Sequence, residues 1–119
     1  MSERILLVDD NKEFREEFKD CFEQYGVTEA GDGREALALL RKPNEFDLVL
    51  LDMRMPEMNG LDVLTELKNK NISANVYLMT AVDEGEEFEK ARTLGIKGIV
   101  KKPVDMPELC RIVKESIGR

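Results

Sequence analysis

The chain contains no histidine. This removes the side chain that most often serves as a general base near neutral pH, and the commonest zinc ligand, so its chemistry must rest on carboxylates, hydroxyls and amines. Cysteine is nearly absent too. Cys21 and Cys110 lie far apart and belong to no C-x-x-C pair, which gives metal or redox chemistry little support; both are expected to be buried structural thiols. Long hydrophobic runs are missing: "ILLV" and "LVLL" are far too short to cross a bilayer, and Ser-Glu-Arg after Met1 does not begin a signal-peptide core. No membrane partner and a cytoplasmic location are therefore expected. An excess of basic charge is also lacking. With 25 acidic and 18 basic residues the net charge is −7, which disfavours nucleic acid and favours solubility or a basic or metal-ion partner. Aromatics make up only 6%, yet 42% hydrophobic residues without low-complexity tracts suit one globular domain spanning 1–119, with no room for a second.

What is present alternates. "RILLV" reads as a strand, and "NKEFREEFKDCFEQYG" as a helix with Phe14, Phe18, Cys21, Phe22 and Tyr25 at helical spacing and Gly26 as its stop. "VTEA" is a short strand, and "DGREALALLRK" a helix ended by Pro43. "FDLVLLD" has the unbroken apolar character of a strand covered on both faces. "GLDVLTELKNK" follows as a helix with Leu61, Leu64 and Leu67 in register, then "ANVYLMT" as a strand. "EGEEFEKARTLG" is a polar helix with a thin stripe of Phe88, Ala91 and Leu94, and "KGIVKK" is the fifth strand. The last helix opens with Asp105 as cap, Pro107 in its first turn and Glu108 three residues after the cap. Five strands alternating with five helices predict right-handed βαβ units, hence an α/β doubly wound five-stranded parallel sheet with helices on both faces.

In such folds the working site lies beyond the carboxyl ends of the strands. Those ends carry Asp9 and Asp10, Asp52, Thr80, and Lys101-Lys102 before Pro103. Two adjacent acids at the mouth of a buried strand raise each other's cost of ionisation, so a positive partner is expected. Three carboxylates with no nitrogen or sulfur ligand nearby make a hard, oxygen-rich site suited to Mg²⁺. A carboxylate can also attack phosphorus to give an acyl phosphate, a reaction that needs a divalent cation and one or two fixed donors; Thr80 and Lys102 can serve as those donors.

Taken together, "LLVDDN", "LVLLDMRMPEMNG", "YLMTA" and "VKKP", in this order and spacing, resemble the receiver domain of two-component response regulators over the whole chain. The resemblance implies a flavodoxin-like sheet of order 2-1-3-4-5. It implies Asp52 as phosphoacceptor, Asp9 and Asp10 as the pair that holds Mg²⁺ with Asp52 and the backbone carbonyl of Arg54, Thr80 as switch hydroxyl and Lys102 as the phosphate-contacting amine. Lys102 is preferred to Lys101 because the family's lysine directly precedes the proline, in a peptide bond (Lys102–Pro103) that is usually cis. It further implies a sensor histidine kinase or phosphotransfer protein as donor, since this chain has no histidine of its own, then switching and slow self-dephosphorylation; beyond its own phosphorylation chemistry, such a domain is not an enzyme. Two positions depart from the family pattern. Ile99 stands where many members have an aromatic switch residue, and Val104 where many have phenylalanine after the proline.

Other readings are weaker. A haloacid-dehalogenase-type phosphohydrolase resembles D-x-D, but the second position after Asp52 is Arg54. A phosphorylation-independent interaction module would be expected to have lost an acid, Thr80 or Lys102. A flavin or nucleotide binder would carry a Gly- or Ser/Thr-rich loop where this chain has "DDNKEF". "MPEMNG" alone is turn chemistry, and the acidic run "DEGEEFE" suits a solvated helix start that complements the macrodipole.

Overall fold

The computed structural model describes residues 3–117. Its elements run β1 (Arg4–Val8), α1 (Lys12–Cys21), β2 (Gly26–Ala30), α2 (Gly33–Leu39), β3 (Leu48–Asp52), α3 (Gly60–Asn69), β4 (Val76–Thr80), α4 (Glu86–Thr93), β5 (Gly98–Lys101) and α5 (Met106–Ile117). All strand pairings are parallel and the order is β2-β1-β3-β4-β5, the flavodoxin-like arrangement.

Side-chain alternation divides the sheet into two cores, because successive residues of a strand face opposite sides. Leu6 and Val8 of β1, Val49 and Leu51 of β3, and Val76 and Leu78 of β4 pack under α2, α3 and α4 with Ala36, Leu61, Leu64, Leu67 and Ala91. The intervening Ile5, Leu7, Leu48, Leu50 and Met79 pack under α1 and α5 with Phe18, Phe22, Leu109, Val113 and Ile117. β1 and β3 have apolar neighbours on both faces, which is why they read as continuous apolar runs.

Three details differ from the periodicity reading. α1 stops at Cys21, and Gly26 opens β2 instead of ending the helix. Cys21 is exposed and Cys110 half-buried, so neither is the buried thiol expected. The cause is local: Phe22 stacks on Phe18 with ring centroids 4.2 Å apart and takes the core position, which turns Cys21, one residue earlier, toward solvent. α2 ends at Leu39, four residues ahead of Pro43; Leu40 leaves helical geometry at φ −94°, ψ 70° while remaining buried, so packing of Leu40 ends this helix and not the proline.

α4 is weakly anchored. Ala91 is its one buried residue, and its N-cap, Gly85, has φ +100° and offers no side-chain cap. The thin stripe expected from the sequence is what is observed. α3 is the opposite case. Asn59 caps it by accepting from the Asp62 N–H at 3.0 Å, and Asp62 accepts in return from the Asn59 N–H, a full capping box. "Asn-Gly" here is a helix start, not a free-standing turn.

Candidate functional site

Parallel register brings the acids together. β1 and β3 are neighbours with Val8 beside Leu51, so the residues that follow, Asp9 and Asp52, leave the sheet side by side. Both are buried, whereas Asp10 is exposed. One carboxylate oxygen from each of Asp9, Asp10 and Asp52 lies within 4.8 Å of the others. β4 and β5 supply the other wall: Thr80 pairs with Lys101, and the ladder continues as the Lys102 N–H donates to the Thr80 carbonyl at 3.0 Å.

Lys102 is a positive partner for two of the three acids, Asp9 and Asp52. Its Nζ lies 3.0 Å from Asp52 Oδ1 and 3.3 Å from Asp9 Oδ2. Asp9 Oδ1 accepts from the Asn11 N–H at 2.9 Å, and Asp52 Oδ1 accepts from the Arg54 N–H at 3.3 Å. The Lys102–Pro103 peptide is cis. Lys101 takes no part in this network; it is exposed, donates to the Ala81 carbonyl at 3.3 Å and pairs with Asp83 at 3.5 Å.

Charge in the cluster is out of balance, and this sets the direction in which its members' pKa values move. Burial pushes the Asp52 carboxyl above the ordinary aspartate range, and the negative charge of Asp9 adds to this against the opposing bonds from Lys102 and Arg54. Burial alone would lower Lys102, but its bond to Asp52 and the charges of Asp52 and Asp9 outweigh that and hold the ammonium above its usual value. The directions agree with a single cation shared among several acids: the lysine is over-compensated, the aspartate under-compensated.

Thr80 is buried at the end of β4, where its Oγ1 donates to the Val82 carbonyl and accepts from the Val82 N–H, both at 3.1 Å. The hydroxyl is thus engaged with the β4–α4 loop. The Arg54 guanidinium reaches the other way, to Glu87 of α4 at 2.7 Å, closing one side of a cavity of about 320 Å³ that Thr80, Val82 and Phe88 also line. On the opposite side, Pro103 and Val104 line a cavity of about 220 Å³ with Asp9, Phe14, Lys102 and Met106. Ile99 is not in the site. It packs half-buried into the core beneath α2, α3 and α4.

The family model for the response regulator receiver domain matches residues 5–114. The chain belongs to this family. A response regulator receiver protein of Anaeromyxobacter sp. strain Fw109-5 is 39% identical over 108 residues, 89% of this chain and 45% of that protein. Response regulator SaeR of Staphylococcus aureus is 36% identical over 117 residues, 97% of this chain and 50% of SaeR. The chain therefore spans about half the length of these curated relatives. Among solved structures, the non-phosphorylated HemR receiver domain of Leptospira biflexa superposes with a TM-score of 0.88 at 33% identity, over 99% of this chain and 96% of that one. The receiver domain of Francisella response regulator 1452 gives 0.85 at 30% identity, over 98% and 97%.

Within this receiver, several residues that shape the site escape a reading by motif. Arg15 of α1 donates to the Asp9 carbonyl at 2.6 Å. Gly60 brings the start of α3 against β3 so closely that a Cβ would lie 2.9 Å from the Asp52 carbonyl oxygen, and its N–H donates to Met53 O at 2.9 Å. Arg15 had one available signal, a basic residue one helical turn after the acid pair; Gly60 had only its place in "MNG". Tyr77 of β4 lies across Gly98 of β5, where a Cβ would meet the ring at 2.7 Å. That ring packs on the α1–α5 side of the sheet while Ile99 faces the α4 side, so Tyr77 does not replace the aromatic that Ile99 lacks.

Proposed function

We propose that this receiver accepts a phosphoryl group on Asp52 from the phosphohistidine of a sensor histidine kinase or phosphotransfer protein, in a Mg²⁺-dependent reaction. The observation that supports this best is the convergence of Asp9, Asp10 and Asp52 at the carboxyl edge of the sheet, with the Lys102 ammonium paired to Asp9 and Asp52. The donor set fits Mg²⁺: all-oxygen, anionic, carrying more negative charge than Lys102 balances, and with the Asp10 carboxylate exposed to take a hydrated ion. Asp9, Asp10, Asp52 and the carbonyl of Arg54 would hold it. When bound, the cation offsets charge on the transferring phosphoryl group.

Everything else is done by this chain's own groups. Asp52 Oδ1 is occupied by Lys102 and Arg54, so Oδ2, free of hydrogen bonds among the described residues, is the oxygen left to attack phosphorus. As the new O–P bond forms, the bond from phosphorus to the donor imidazole nitrogen breaks. Lys102, already 3.0 Å from Asp52, stays beside the phosphoryl oxygens and stabilises them. Thr80 releases Val82 and donates to another phosphoryl oxygen, which draws the β4–α4 loop inward. Water later attacks phosphorus, breaking the acyl O–P bond and returning phosphate and the Asp52 carboxylate. The chain accelerates only its own phosphorylation and hydrolysis. Among the described residues no helix is long and apolar enough to cross a membrane; we place this module, a single domain over 1–119, in the cytoplasm, upstream of an output domain or protein partner and without direct nucleic-acid contact.

Intact-mass spectrometry after incubation with acetyl phosphate tests this reading. One phosphoryl increment is expected with Mg²⁺, none with chelator and none in Asp52→Asn. An equal increment in the mutant, or one indifferent to chelator, would refute it.

A further inference from the structure

Asp10 is the acid of the cluster that no side chain holds. Its carboxylate has no hydrogen-bond or ion-pair partner among the described residues, so its aim depends on the backbone that carries it. That backbone is fastened on both sides of Asp9. The Asp9 N–H donates to the Ala30 carbonyl at 3.1 Å, and the Asp9 carbonyl accepts from Arg15 Nη1 at 2.6 Å. The second bond orients the peptide that joins Asp9 to Asp10, because the carbonyl of one and the N–H of the other belong to a single planar unit.

Arg15 is itself held in place. Its side chain is only 17% exposed, and its Nε donates to Glu29 Oε1 of β2 at 3.0 Å. Glu29 also takes Lys19 Nζ at 3.1 Å; burial pushes its carboxyl up, but Lys19 and Arg15 outweigh this and hold it below the ordinary range. The guanidinium lies over Gly31, where a Cβ would stand 3.3 Å from Nη1, so the absence of a side chain at 31 leaves room for it. One donor of a rigid planar fork is fixed by Glu29 and another points at the Asp9 carbonyl, a geometry that an ammonium cannot reproduce.

We propose that Arg15 is a positioning residue for the acidic cluster: anchored by Glu29, it sets the Asp9–Asp10 peptide so that Asp10 is aimed at the divalent cation. The inference rests on the Mg²⁺ reading above and makes a prediction opposite in sign to plain electrostatics. Removing a positive charge beside three carboxylates should tighten cation binding by Coulomb attraction alone. Loss of positioning weakens it.

Calorimetric titration of Mg²⁺ into wild type, Arg15→Gln and Arg15→Lys, at one ionic strength and with folding verified by circular dichroism at the same temperature, separates these outcomes. Both variants are expected to bind Mg²⁺ roughly tenfold more weakly, the scale on which groups supporting a metal's ligands act. Arg15→Lys keeps the charge and the aliphatic stem, and carries the test should Arg15→Gln fail to fold. A variant that melts lower in EDTA yet binds Mg²⁺ as tightly as wild type, or more tightly, overturns the proposal and leaves Arg15 a packing residue. Wild type that takes up no Mg²⁺ overturns the metal reading itself, and this inference with it.

Discussion

At the scale of single residues, the cluster is held against its own electrostatics. Asp9 and Asp52 are almost fully buried, and the one ammonium between them keeps 32% of its side chain in water. Such a site costs stability in the metal-free protein for the sake of function. Because Asp52 in the folded chain titrates above its ordinary 3.8, the folded state binds more protons than the unfolded one between those two values. Stability is therefore lost as pH rises through the folded pKa of Asp52, and that loss is absent below 3.8. Asp52→Asn removes the ionisation. It is expected to stabilise the metal-free protein by about 1–3 kcal/mol at neutral pH, the scale of the penalty for a buried polar group left short of partners, with the advantage shrinking on acidification through that window. Lys102→Ala should destabilise it by about 3 kcal/mol, the low end for breaking a buried pair, since Asp52 can relieve part of the loss by protonating. Thermal melts in EDTA across a pH series check both; an Asp52→Asn protein that melts lower than wild type at neutral pH contradicts the account. Asp10 differs from its two neighbours in the cluster. The bare sequence places it in the same crowd of charge, but it is exposed, and Asp10→Asn should leave the metal-free melting point nearly unchanged.

Among the elements, α3 and α4 frame the site with opposite mechanical character. α3 is closed at its start by its own capping box and held against β3 by Gly60, whose contact with the Asp52 carbonyl leaves no room for a methyl group. Gly60→Ala is expected to cost about 1–3 kcal/mol by overpacking and, because it shifts the Asp52 backbone, to slow phosphorylation as well; urea melts and the rate of acetyl phosphate uptake measure the two effects. α4, with Ala91 alone buried, and the β4–α4 loop leading into it are tied to the site by polar contacts: Thr80 to Val82 and Lys101 to Ala81 and Asp83 in the loop, Arg54 to Glu87 in the helix. Exposed ion pairs contribute little, so such ties release easily. With Ile99 in place of an aromatic, the structural response to phosphorylation should concentrate in residues 81–93 and not in β5. Hydrogen exchange with and without beryllofluoride should show the largest change there, and changes confined to residues 14–40 would contradict this. Part of that contrast was legible in advance. The single apolar stripe of α4 is visible as Ala91 among charged residues, whereas the capping role of Asn59 was hidden because Asn-Gly serves turns and helix starts alike.

For the molecule as a whole, the sheet was readable because β1, β3 and β4 are short apolar runs set between helical patterns, with β2, "GVTEA", the weak exception, and the site because parallel topology sends every strand's carboxyl end to one edge. Strand order was not in the local pattern; it came with the family resemblance, and β2-β1-β3-β4-β5 agrees with it. What escaped was long-range and side-chain specific. Nothing in local periodicity shows that Phe22 displaces Cys21 from the core, that Leu40 ends α2 before Pro43 can, or that Arg15 reaches back to the Asp9 carbonyl. On the proposed function, this whole arrangement serves to make one carboxylate, Asp52, a phosphoryl acceptor. The most direct measurement is to treat the acetyl phosphate-loaded protein with borohydride, which reduces an acyl phosphate to the alcohol, and to map the product by peptide mass spectrometry. The account predicts homoserine at position 52 alone, only when Mg²⁺ was present during loading. Homoserine at position 9 or 10, or at none, would contradict it.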